Sequence, residues 1–353
     1  SSNGAITPSS STAGTYTVSS PMPASGVCCA QTATTSVTIT SIPSATISYS
    51  GTPFCKSLGT AQAVTQSGTS GGTYSASPSG LSISSSNGAI TPSSSTAGTY
   101  TVTYTIAASG GCSVYTTTTN LTVNALSVGG SVGSNATVCS VTNSGTLSLT
   151  GQTGSVLYWQ YSTDAGSTWA NISNTTTSLS YSNLTQTTQY RAVVQSGVCA
   201  TANSSAATIT VNAVSVGGSV GSNATVCSGT NSGTVYLTGQ TGNVVNWQYS
   251  TDGGTTWTVI VNTTTSETYS NLTQTTIGRA VVQNGVCPSA NSSIATITVT
   301  PLPSATISYT SSPYCSDGGS ASVTTTGTSG GTYSSTTGLS INSSSGIIDL
   351  NAS

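Results

Sequence analysis

Five acids and three bases are the only charged side chains in 353 residues, and histidine is absent. Proton-transfer chemistry therefore has few places to happen. Asp164 and Asp252 hold the same position in two near-copies of one stretch, WQYSTDAGSTW from Trp159 to Trp169 and WQYSTDGGTTW from Trp247 to Trp257. Glycoside hydrolysis needs a second carboxylate across the scissile bond, and only Asp252 has one in its own repeat, Glu267. An Asp within a run of small residues is ordinarily a turn former, its side chain bonding nearby backbone, and both aspartates are read that way. Asp317, followed by two glycines, is another turn. Calcium sites gather several carboxylates, which scattered acids do not supply. The nine cysteines come without histidine, so no zinc shell is expected. No catalytic, cofactor or metal residue is assigned. Lys56, Arg191 and Arg279 are too few for a nucleic-acid face or a polybasic membrane patch. Arg191 and Arg279, equivalent residues of one repeat, are expected to face solvent or to bond carbonyls.

The elements around these residues read as strands. Leu157, Trp159 and Tyr161 alternate on one side of their stretch and become Val245, Trp247 and Tyr249 in the second copy. Tyr158 becomes Asn246 on the other side. Alternation, then a turn cluster carrying the Asp, then Trp169 or Trp257, is a hairpin signal. Trp159 and Trp247 are expected at the centre of a sandwich core. Strands are predicted near 136–141, 146–150, 156–162, 170–173, 178–181, 189–195 and 207–211. The last turns Ala207, Ile209 and Val211 inward. No segment holds helical apolar spacing over three turns, and none has the 18 consecutive apolar residues of a membrane span.

Charged residues make up 2% of the chain, where about a quarter is usual. Disorder is the competing reading for so Ser/Thr/Gly-rich a composition. Internal repetition argues against it. Residues 41–124 form a complete module of one type, A, and residues 125–212 and 213–300 are two copies, B1 and B2, of another. Residues 1–40 repeat the second half of type A, and 301–353 repeat its first half. Repeats of this length exceed solenoid units and suit a seven-stranded sandwich. The expected fold is all-β: tandem immunoglobulin-like β-sandwich modules arranged end to end, at roughly 35 to 45 Å per module. Starting inside a repeat, the chain reads as a mature or partial piece of a longer secreted protein.

Each complete module carries one early and one late cysteine: Cys55 and Cys112, Cys139 and Cys199, Cys227 and Cys287. That regularity points to structural disulfides in an oxidising compartment. One bridge within each module is the first expectation. If instead the first strand begins upstream of the early cysteine, the two thiols lie at opposite ends, and Cys55 would pair with Cys199 and Cys139 with Cys287. Cys28 and Cys315 match Cys112 and Cys55, and Cys29 is the odd one. Twelve Asn-x-Ser/Thr triplets are no more than so Ser/Thr-rich a chain produces by chance.

Type A carries GLSISSSNGAITPSSSTAGTYTVTYTI from Gly80, which resembles immunoglobulin-like modules of bacterial surface proteins. Type B, with VCSGTNSGTVYLTG from Val226, WQYSTDGGTTW and RAVVQNGVC from Arg279, resembles the Ig-like repeats of giant Bacteroidota adhesins, including gliding-motility adhesins and other type IX secretion cargo. The resemblance implies a secreted, cell-surface protein. SxDxGxTW, at Ser162 and again at Ser250, resembles the Asp-box of sialidases, where it is a structural hairpin. Sialidase chemistry also needs an arginine cluster, which two arginines in separate modules do not make.

The function expected is thus a non-enzymatic stalk segment of a long repetitive adhesin or extracellular filament, partnered by neighbouring repeats or by other copies in a filament. A head-to-tail polymerising subunit is a variant of this. The alternative from another class is a carbohydrate-binding array, with Trp169, Trp257 and tyrosines as stacking platforms for a surface polysaccharide.

Overall fold

The computed structural model describes residues 4–353, so the first three residues of segment 1–40 lie outside the described residues. The architecture is all-β, in tandem immunoglobulin-like sandwiches. Among the described residues, helix is confined to two three-residue 3-10 turns, Pro8–Ser10 and Pro92–Ser94, and no helix is long and apolar enough to cross a membrane. The chain divides into two compact units, Ser1–Val211 and Asn212–Ser353.

In the first unit, B1 shows the sandwich in full. One sheet runs in the order Ala136–Cys139, Ala207–Asn212, Thr188–Gln195, Ser155–Ser162, Ala170–Ile172, with Ala202–Asn203 pairing onto Thr188–Gln195. The facing sheet is Ser178–Ser182, Ser144–Thr150, Ser131–Gly133. All seven predicted strands are present, and Ser131–Gly133 and Ala202–Asn203 are additions. Trp159, Leu147, Ile209 and Val194 fill the space between the sheets. Trp159 is fully buried, and its Nε1 donates to Thr176 O at 2.9 Å, which satisfies the one polar atom the ring carries inward.

The inward face of this strand differs from the expected one. A β-bulge between Val156 and Tyr158 shifts the register against Thr188–Gln195. The extra residue turns Val156 to the core, at 6% exposure, and leaves Leu157 outside at 37%. Tyr161 is exposed as well. The same shift recurs between Val244 and Asn246, leaving Val245 and Tyr249 exposed.

Module A is built alike. Its larger sheet runs Phe54–Cys55, Tyr115–Asn124, Gly98–Ile106, Thr73–Ser77. Alternation in GTYTVTYTI buries Tyr100, Val102 and Tyr104 while threonines take the other face. The Tyr100 hydroxyl donates to Thr96 O at 2.6 Å, fixing the corner that leads into the strand. Upstream, Gly14–Met22 pairs with Gln31–Ile39. There Tyr16 and Val18, counterparts of Tyr100 and Val102, stand 42% and 41% exposed, in a sheet that among the described residues has two strands.

In the second unit, B2 repeats the B1 sheets strand for strand, with Trp247 buried and its Nε1 donating to Thr264 O at 2.9 Å. Residues beyond 300 form the hairpin Ala305–Tyr309 with Val323–Gly327 and a small sheet of three strands around Ala321, Ile348 and Leu350.

Candidate functional site

The Asp-containing hairpins are closed loops of hydrogen bonds. In B1, Ser162 Oγ donates to Asp164 Oδ1 at 2.7 Å and accepts from Gly166 N at 2.8 Å. Thr168 N donates to Asp164 Oδ1 at 2.9 Å and Thr168 Oγ1 to Oδ2 at 2.6 Å. These donors, Thr168 first and Ser162 after it, hold the Asp164 carboxyl down at about 2. Asp252 receives the same bonds from Ser250 and Thr256 and is likewise depressed. A carboxyl held this low is ionised at neutral pH and is a feeble base, so it suits neither role in general acid–base catalysis. Both aspartates build the turn.

The second tryptophan of each hairpin leaves the core. Trp169 Nε1 donates back to Gly166 O at 2.9 Å, which folds the indole over its own turn. On the outer face of the sheet the Arg191 guanidinium carbon stands 4.0 Å from the centre of that ring, and Arg191 Nε donates to Gln160 Oε1 at 2.8 Å. Arg279, Trp257 and Gln248 repeat the cluster at 3.8 Å and 2.8 Å. The arginines therefore do not simply face solvent. Each lies on an indole, an arrangement worth about 0.5 to 1 kcal/mol at an exposed site. The sequence signal was the shared repetition of Trp and Arg in both copies; only strand pairing shows that they meet. A sugar seeking either indole finds one face already covered by a cation.

The thiols correct the first expectation for connectivity. Cys55 is bonded to Cys199 across 144 residues, with Cα atoms 4.9 Å apart. Cys112 and Cys227, assigned to bridges within their modules, are free, as are Cys28, Cys29 and Cys315. Cys139 and Cys287 are disulfide-bonded. The reason lies in strand direction. Phe54–Cys55 runs parallel to the last strand of module A and ends with Cys55 beside Asn124, whereas Cys112 precedes the start of that strand. A dozen extended residues, roughly 40 Å at about 3.3 Å each, separate the two ends, far beyond the ~7 Å Cα limit for a disulfide.

The late cysteines instead sit on the backbone where their modules begin. Cys112 Sγ lies 3.6 Å from Ser41 O, Cys199 Sγ 3.1 Å from Ala125 O and Cys287 Sγ 3.2 Å from Ala213 O. Asn124 Oδ1 also accepts from Val198 N, and Asn212 Oδ1 from Val286 N. Among the described residues no three His, Cys, Asp or Glu side chains stand together as a metal site.

Set beside known proteins, residues 128–213 and 216–301 each match a domain of unknown function, DUF8696. No curated protein matches the chain. Similar solved structures include the I-band fragment I67-I69 from titin, at 13% identity and a TM-score of 0.43 over 74% of this chain and all of the other. The N-terminal four Ig domains of Dscam1 isoform 6.9 align at 13% identity and 0.28 over 85% and 90%. Fibronectin(III)-like modules of Clostridium thermocellum CbhA align at 12% and 0.25 over 48% and 91%.

Proposed function

We propose that the chain is a non-catalytic structural segment of a secreted, cell-surface adhesin or filament, a series of sandwiches in which disulfides reach from one module to the next. The observation that carries the reading is the Cys55–Cys199 bond, which ties the module containing residues 45–123 to the one containing residues 132–209. A bond placed between sandwiches does little for either core and resists their separation. It also belongs to an oxidising compartment, which supports an extracellular location. Spent aspartates support the absence of catalysis, and covered indoles weigh against a sugar-binding array. Cys227 pairs at Thr300 as Cys55 does at Asn124, with its thiol exposed. It is the handle from which a further module is stitched.

Alkylation of the native chain before reduction, followed by peptide mass mapping, tests this. The expected result is label on Cys28, Cys29, Cys112, Cys227 and Cys315 and a Cys55–Cys199 cross-linked peptide, with the partners of Cys139 and Cys287 read from the same map. A Cys55–Cys112 peptide would overturn the proposal.

A further inference from the structure

B1 and B2 are near-copies, yet three of their differences fall at one end of the core. Leu147, Leu179 and Tyr190 of B1 are all buried. The equivalent residues of B2 are Val235, Glu267 and Gly278. In B1, Leu147 pairs across the strands with Leu179, and the Tyr190 ring stacks on Tyr181 with centroids 6.3 Å apart. In B2, Val235 pairs with Glu267, and Tyr269 has no ring at Gly278 to stack on. The space left is a cavity of about 370 Å³, lined by Val235, Trp247, Tyr249, Glu267, Tyr269 and Gly278 among others.

Nothing in the backbone calls for the glycine. Gly278 has no positive φ, and a Cβ added there meets only Gln248 O, at 3.8 Å. A strand-interior glycine is unfavourable relative to Ala, and such glycines mark bulges, tight bends or the close approach of a ligand or another backbone. The carboxylate is as telling. Glu267 replaces a core leucine, and among the described residues its hydrogen bond comes from Asn262 Nδ2, at 2.6 Å to Oε2. The chain's two arginines are stacked on tryptophans, so no cation of B2 faces it.

We propose that this cavity is a ligand site of B2 for a small organic ammonium ion. Glu267 supplies the counter-charge and Tyr249 and Tyr269 supply aromatic walls to a cation with an apolar body. The volume falls within the range of small-molecule pockets. The proposal is independent of any load-bearing role. The ammonium comes either from a free amine or from a lysine side chain of another polypeptide, and both present the same chemistry.

The test is an NMR titration of the whole 353-residue chain with three probes: choline, its uncharged isostere 3,3-dimethylbutan-1-ol, and Nα-acetyl-lysine methylamide. The expected result is saturable shifts in B2 with choline or the lysine amide, and affinity for the isostere weaker by about tenfold or more. Choline alone identifies a free amine, and the lysine amide alone identifies a protein side chain. Glu267→Gln should abolish binding while B2 stays folded. Gly278→Tyr should refill the cavity as Tyr190 does in B1, and also abolish it. Equal binding of the isostere, binding unchanged in Glu267→Gln, or no binding of either cation would overturn the proposal.

Discussion

Asp164 accepts from a serine hydroxyl, a backbone amide and a threonine hydroxyl within five residues of itself, so its charge is consumed by its own turn. Because its folded value of about 2 lies below the usual value near 3.9, the turn's contribution to stability is complete above that usual value. It fades as pH falls toward 2. A carbon-detected titration of the Asp164 carboxyl should show its midpoint near 2, and amide exchange at Gly166 and Thr168 should quicken over the same interval. A midpoint near 4 would mean that the bonds do not form in solution. Asn143 does comparable work inside the sandwich. Its Nδ2 donates to Cys139 O and Leu184 O, and its Oδ1 accepts from Leu184 N, each at 2.8 Å. Asn143→Ala leaves these part-buried backbone groups without their side-chain partner and should cost about 1 to 3 kcal/mol, read from the urea midpoint.

Strands, their turns and the inward Ala207 and Ile209 were legible because alternation and glycine-rich breaks are local signals. The bulge was not. Leu157, Trp159 and Tyr161 alternate perfectly in the sequence, and the inserted residue declares itself only where Ser155–Ser162 is laid against Thr188–Gln195. Two substitutions separate the registers: Val156→Ser should destabilise by about 2 kcal/mol or more, whereas Leu157→Ser should stay within about 0.5 kcal/mol. Thermal or chemical melts of the pair decide it, and a reversal would restore the plain alternating face. Strand length also bears on a question that composition raises, how Ser/Thr-rich edges avoid pairing with other chains without lysine. Several edge strands are short: Ala170–Ile172 and Ser131–Gly133 have three residues and Phe54–Cys55 two, while Thr73–Ser77 and Ser178–Ser182 have five and the pair Gly14–Met22 and Gln31–Ile39 nine each. Short edges offer little template for a further strand.

That thiols pair was readable from their recurrence, although Cys112 and Cys227, expected in bridges, are free. Which thiol meets which depended on whether the early strand runs with or against the last one, and no local residue pattern encodes that. Gly278 and Glu267 were visible as letters, but their meaning needed the fold to place them opposite Tyr249 and Val235. The cross-link has a mechanical consequence. Cys55 and Cys199 enclose 144 residues, a contour of roughly 500 Å at about 3.5 Å per residue, which a pull on the ends cannot pay out while the bond is intact. Single-molecule stretching of the oxidised chain should therefore fall short of the fully extended length by at least about that amount. Reductant should restore it as additional unfolding peaks. Cys199→Ser should release part of that length without reductant, Cys139 and Cys287 remaining disulfide-bonded, and leave both sandwiches folded, since neither core depends on the bond. Equal contour lengths before and after reduction would show that the sandwiches are threaded independently along the chain.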